Sequence, residues 1–138
     1  MRVLLDTNVL LDVLLRRQPF LEPAVNVWAA LETGRADGVV AAISVNNVYY
    51  VIAKTRDRAV AREAVDILLK AFPIAAVDGD ILTKAFASPL VDYEDAIQAF
   101  AGERFGATHV IRRDPDGFAG GPLRVLSPTE FLEVVSTP

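Results

Sequence analysis

The sequence predicts an α/β domain, a mainly parallel sheet of four to five strands with helices on both faces. Two observations carry this. Short apolar runs alternate with longer segments of helical periodicity along the whole chain, without repeat, low-complexity tract or linker. The run Val3-Leu4-Leu5 stops at Asp6-Thr7-Asn8, which reads as a buried strand delivering a carboxylate to its C-terminal end. Open α/β sheets gather ligands and chemistry at that end.

The elements follow in order. The first strand spans about residues 3–6, and its helix runs from about 8 to 16, stopped by Pro19. A second helix covers 21–34, with Val25, Trp28, Ala29 and Leu31-Glu32 at helical spacing and Gly34 as its stop. Residues 39–43, Val-Val-Ala-Ala-Ile, form the second strand. Ser44 suits the N-cap of a helix through Lys54. Residues 57–71 form another helix, with Ala64, Ile67, Leu68 and Ala71 on one face. The third strand is 73–77, and Asp78 caps a short helix to about Ala87. Residues 92–105 form the next helix, with Ala96, Ile97, Ala99 and Phe100 inward and Gly106 at its end. Val110-Ile111 is the fourth strand and 123–126 a fifth, before a helix over 128–135 that opens on proline. The crossovers should be right-handed.

Composition narrows the function. The 138 residues suit a single domain over 1–138, and 52% hydrophobic with 23% charged residues is rich enough for a core. The absence of cysteine excludes a disulfide framework and a thiolate zinc site. No apolar stretch reaches the ~18 residues of a spanning helix. Met1-Arg2 leads straight into a strand and lacks a signal peptide's apolar core, so a cytoplasmic prokaryotic domain without membrane attachment is expected. A net charge of −4 counts against a general nucleic-acid coat protein. It leaves a nuclease open, since acids can gather at one metal site, and basic groups stand at Arg16-Arg17, Lys54-Arg56-Arg58 and Arg112-Arg113. The chain has no P-loop or dinucleotide glycine motif.

The acids form a constellation. Asp92 and Asp95, three apart, share a helix face that Gln98 continues, whereas Glu94 should point toward solvent. Two such carboxylates repel unless a cation lies between them or one keeps its proton. Asp6 ends a first strand and Asp114 follows the fourth, so a parallel sheet brings both toward one edge. With one His and no Cys, these oxygens suit a hard ion such as Mg²⁺ or Mn²⁺. A bound metal would orient a phosphodiester and lower the pKa of an attacking water. Each acid also has a purely structural role open to it. Asp6 and Asp92 are good N-caps, Asp95 resembles the far end of a capping box, and Asp114-Pro115-Asp116-Gly117 has turn chemistry. His109, inside an apolar strand, reads as structural.

The chain resembles the PIN-domain ribonucleases, in particular the small prokaryotic type related to VapC toxins. The resemblance rests on four stretches in order: residues 3–12 (VLLDTNVLLD), 43–51 (ISVNNVYYV), 92–98 (DYEDAIQ) and 106–114 (GATHVIRRD), with Phe118 and the closing residues 126–132 (LSPTEFL) in support. It implies a three-layer, Rossmann-like α/β/α sandwich with an acidic pocket binding Mg²⁺ or Mn²⁺ for RNA hydrolysis. Asp6 and Asp95 would be the principal metal ligands, Asp92 an accompanying acid and Asp114 the last and most variable one. Asn8, Ser44 and Asn47 would support the pocket, and Arg112 and Arg113 would contact RNA phosphate. A small antitoxin and a homodimer are the partners it implies, with Tyr49, Tyr50 and Trp28 as candidate contact residues, although Trp28 fits core packing better. Two positions depart from the family pattern. Asn47 stands where many such toxins carry glutamate and supplies no charge. Arg112 stands where Thr or Ser commonly precedes the Arg-Asp pair, and it can either bind phosphate or pair with the pocket acids. Those departures favour the rival reading, a PIN-fold RNA- or protein-binding module without turnover. A phosphotransferase with Asp6 as covalent nucleophile fits less well, because Asn8 stands where such enzymes place a second acid.

Overall fold

The structure is a computed structural model that describes residues 1–136. Its elements are β1 (Arg2–Leu5), α1 (Thr7–Leu14), α2 (Leu21–Glu32), β2 (Asp37–Ala41), α3 (Ala42–Thr55) and α4 (Arg58–Ala71). There follow β3 (Ile74–Ala75), α5 (Gly79–Ala87), α6 (Tyr93–Phe105), β4 (His109–Ile111), a 3-10 turn (Pro115–Phe118), β5 (Arg124–Leu126) and α7 (Pro128–Ser136). The strands make one sheet in the order β3-β2-β1-β4-β5, with every pairing parallel. The predicted α/β/α class is therefore correct.

Past a polar first residue, each of the central strands β1, β2 and β4 carries no polar side chain and is buried, because both faces of the sheet are covered. Val3 and Leu5 of β1, Val40 of β2 and Ile111 of β4 face a core shared with α1, α2, α3, α4 and α7. Leu4, Val39, Ala41 and Val110 point the other way, into a second core with α5 and α6. Helix α6 lies close on β1 because Gly102 has no side chain: a Cβ there would stand 3.1 Å from the Leu4 side chain. Gly106 ends α6 in the left-handed region, at φ 104°, as its position predicts.

Several boundaries differ from the sequence expectation. Strand β2 starts two residues early and stops at Ala41, and α3 begins at Ala42 without a side-chain cap. Ser44 is therefore not the N-cap of α3. It lies inside the first turn, fully buried, where its hydroxyl accepts a hydrogen bond from Thr7 Oγ1 at 2.8 Å. Helix α1 ends at Leu14, and Arg16 takes a positive φ of 53° before Pro19. The inward faces also rotate. In α2 the buried positions are Ala24, Val27, Ala30 and Leu31, while Val25 is exposed. In α4, Ala61 joins Ala64 and Leu68, while Ile67 and Ala71 are left outside. Helix α4 packs on α3, and α2 on α1 and α7, and small residues let helices approach closely, so the alanines set the contact line. Trp28 packs edge-on to Phe72 at a ring distance of 4.9 Å, in keeping with a packing role. Helix α7 gains a reciprocal capping box: Glu130 N–H donates to Ser127 Oγ at 3.0 Å, and Ser127 N–H donates to Glu130 Oε1 at 2.9 Å.

Candidate active site

Sheet register builds the site. Leu5 pairs with Ile111, so the next residues, Asp6 and Arg112, emerge side by side at the C-terminal edge. Backbone bonds pin both: Asp6 N–H donates to Ile111 O at 3.1 Å, and Arg112 N–H donates to Leu126 O at 2.9 Å. Asp6 also caps α1, accepting from Asn8 N–H at 3.3 Å. Asp92 caps α6, accepting from Asp95 N–H at 2.9 Å, which sets Asp95 over the strand ends. Capping and site-building are thus performed by the same carboxylates.

Asp6, Thr7, Asn8, Leu11, Asn47, Tyr50, Val51, Asp92, Glu94, Asp95 and Arg112 line one cavity of about 420 Å³. Asp6 is 3% exposed and Asp95 9%. Burial raises the pKa of both carboxyls above the ordinary value of 3.8, with the Arg112 guanidinium as the largest opposing influence on each. At Asp6 the Asn8 N–H and the Gln98 amide also lower the pKa, against a smaller repulsion from Glu94, and Asp92 adds repulsion at Asp95.

Arg112 is the cation of this cluster. Its Nη1 lies 3.0 Å from Asp95 Oδ2 and 3.8 Å from Asp6 Oδ1. The guanidinium rests on the Phe118 ring, 4.9 Å from its centroid, and Nε donates to the Asp114 carbonyl at 2.6 Å. Hard oxygen donors suit Mg²⁺ or Mn²⁺ chemically, yet with Arg112 in this position the arrangement does not fit a metal ion. Arg112 sits between the two buried acids, and among the described residues no three Asp, Glu, His or Cys side chains converge to hold one.

The remaining expectations divide. Asn8 and Asn47 line the cavity, and Ser44 lies behind it through Thr7. Asp114 stays outside the cavity lining: its Oδ1 caps the 3-10 turn by accepting from Asp116 N–H at 3.0 Å. Arg113 alternates to the opposite side of β4 from Arg112 and there meets Asp12, with Nε 2.8 Å from Oδ2. It also covers the Phe20 ring. Glu94, expected in solvent, lines the cavity instead, since the start of α6 faces the cavity mouth. Tyr50, expected at a protein contact, lines the cavity too; the sequence signal for this is its place one helical turn beyond Asn47. His109 stands at the N-terminal end of β4, on the edge away from the acids, where burial lowers its pKa.

Comparison with known proteins agrees with the fold. A PIN-domain sequence profile matches residues 2–116. No curated protein sequence matches. Among solved structures, VapBC2 of Rickettsia felis, bound to a promoter DNA fragment, superposes with a TM-score of 0.72 at 14% identity. That match covers 92% of this chain and 98% of the other. VapC20 of Mycobacterium tuberculosis, a sarcin–ricin loop cleaving toxin, gives a TM-score of 0.71 at 17% identity over 89% and 98%. A toxin–antitoxin complex of Klebsiella pneumoniae gives 0.66 at 25% identity over 91% and 97%. A profile match across most of the chain, on a parallel α/β sandwich shared with these structures, establishes that this protein belongs to the PIN-domain family.

Proposed function

We propose that this protein is an endoribonuclease dependent on Mg²⁺ or Mn²⁺, acting as the toxin of a toxin–antitoxin pair. The observation that carries this reading is the buried Asp6–Asp95 pair at the C-terminal edge of the sheet, opening with Asp92 into a polar cavity. Structural elements alone have little use for two desolvated carboxylates with raised pKa values side by side, and functional sites are where such pairs cluster. A scissile phosphate entering this cavity needs positive charge between itself and the acids. Asp6, Asp95 and Asp92 are the oxygens that would meet a divalent ion, once Arg112 yields its place.

RNA as substrate is supported by the surface beside the acids. A second cavity of about 420 Å³, lined by Tyr49, Tyr50, Ala53, Lys54 and Arg58, shares Tyr50 with the first. Tyr50 is 65% exposed. An exposed ring flanked by two cations suits a single-stranded segment, with a base stacked on the ring and phosphates at the cations. The structural neighbour from Klebsiella pneumoniae is a toxin–antitoxin complex, which supports a small antitoxin as partner. A homodimer is part of the same proposal. The Arg112 ion pairs favour one other reading, an RNA-binding module without turnover.

Cleavage of a panel of structured RNAs in Mg²⁺, Mn²⁺ and EDTA separates the two. The nuclease reading expects metal-dependent cutting that falls by roughly a hundredfold or more in Asp95→Asn and Asp6→Asn, the scale of losing an electrostatic contact made to the transition state. RNA binding without cutting in any metal would establish the binding module instead.

A further inference from the structure

We propose that Arg112 is a built-in cation that occupies the divalent-metal position between Asp6 and Asp95, so that metal and guanidinium compete for one place. The inference rests on the metal-dependent reading above and concerns how that site is regulated. Four observations carry it. Arg112 Nη1 reaches both buried carboxylates, at 3.0 and 3.8 Å, the positions from which they would grip an ion. The guanidinium is seated there by three further contacts: the Asp114 carbonyl, the Phe118 ring and the space above Gly117. Any Cβ at Gly117 would collide with Nη2 and Cζ of Arg112, so the 3-10 turn is shaped around this side chain. Finally, Asn47 brings no charge to the cavity, so one guanidinium offsets a larger share of the acids than it would beside a glutamate.

Two carboxylates against one cation still leave negative charge, and Asp92 and Glu94 add to it at the cavity mouth. A divalent ion is therefore attracted, but it enters only when the guanidinium swings off the acids. Apparent metal affinity then falls by the fraction of molecules in which Arg112 has moved away. The seat is local and polar, so anything that draws Arg112 outward, an entering phosphate included, opens the metal position. Metal loading in this protein is thus coupled to the place of a single side chain.

The test is Mn²⁺ binding by titration calorimetry, in the natural protein, Arg112→Gln, Gly117→Ala and Arg112→Gln/Asp95→Asn, with the thermal shift caused by Mn²⁺ as a second readout. Arg112→Gln should bind Mn²⁺ roughly tenfold tighter or more, the gain expected when a site open a tenth of the time becomes always open. Gly117→Ala keeps the charge but crowds the guanidinium off its seat; it should tighten binding in the same direction and serves alone if Arg112→Gln does not fold. The double variant should lose the gain, since the acid itself is gone. Equal Mn²⁺ affinity in the natural protein and both single variants would overturn the competition while leaving the metal site intact. No Mn²⁺ binding in any of them would overturn both the competition and the metal-dependent reading.

Discussion

At the scale of single residues, the site is a compromise between function and stability, and Asp6 shows it most clearly. Its carboxylate is desolvated more than Arg112, the Asn8 N–H and Gln98 offset, so the native state holds its proton more tightly than the unfolded chain does. The sign follows from linkage. Between the ordinary value of 3.8 and the raised native value, the native protein binds more protons, so Asp6 favours folding less as pH rises. Above that window the ionised carboxylate is a standing cost. Asp6→Asn removes the charge while retaining an oxygen that can cap α1. Without metal, this variant should be more stable than the natural protein at pH 8 by about 0.5–2 kcal/mol, the usual scale of stability held back by a functional site. The gap should close as pH falls toward 4, where the natural carboxyl takes up its proton. Paired thermal melts across pH read both effects; a gap independent of pH would show that the carboxyl's charge is not its cause.

At the scale of elements, the join between β4 and α1 rests on a buried ion pair on the opposite side of β4 from the cavity. Asp12 of α1 is fully buried, and Arg113 answers it from the end of β4, with Arg17 a more distant second cation at 3.9 Å. Burial pushes the Asp12 pKa up while Arg113 pulls it down. Removing one partner of a fully buried pair costs about 3–5 kcal/mol; Arg113→Ala should cost less, about 2–3 kcal/mol, because its side chain keeps 30% exposure and Arg17 remains. Denaturant melts would measure this, and Mn²⁺ binding should be unchanged, since Arg113 turns away from Asp6 and Asp95. The same pair shows what the sequence makes legible. Alternating apolar runs and helical periods give the layers, the parallel sheet and the edge where Asp6 and Asp95 meet, because burial on both faces dictates those patterns. They do not give the side to which Arg112 and Arg113 turn. That depends on the register of Ile111 against Leu5, a long-range pairing that no local window contains. Ser44 departs from its expected place for a related reason. Its local chemistry is that of a cap, but Thr7 of a distant element claims its hydroxyl inside the core.

At the scale of the whole molecule, the proposed action on RNA requires an acidic protein to confine its positive charge to where the substrate would lie. The net charge is −4, so long-range attraction to a polyanion is absent and binding depends on local cations. Among them, Lys54 and Arg58 share a cavity with Tyr50, which in turn lines the acidic cavity, so the two form one path about the ring. Arg104 is bound to Asp78 at 2.9 Å and Lys70 to Asp66 at 2.9 Å, which leaves those cations partly neutralised. RNA affinity should therefore show a shallow salt dependence overall, with a large share of the slope carried by Lys54 and Arg58. Removing one cation that pairs with phosphate reduces that slope by about 1, so Lys54→Gln/Arg58→Gln should lower it by about 2 and weaken binding similarly for all sequences. Tyr50→Ala should instead weaken binding by about 1–3 kcal/mol with the salt slope unchanged, as expected when the ring under a stacked base is removed and the phosphate pairs stay. Fluorescence anisotropy of a labelled single strand against salt, in Mn²⁺ with the cleavage-impaired Asp95→Asn background, separates charge from stacking. Equal slopes and equal affinities in all three proteins would place the RNA elsewhere on the surface.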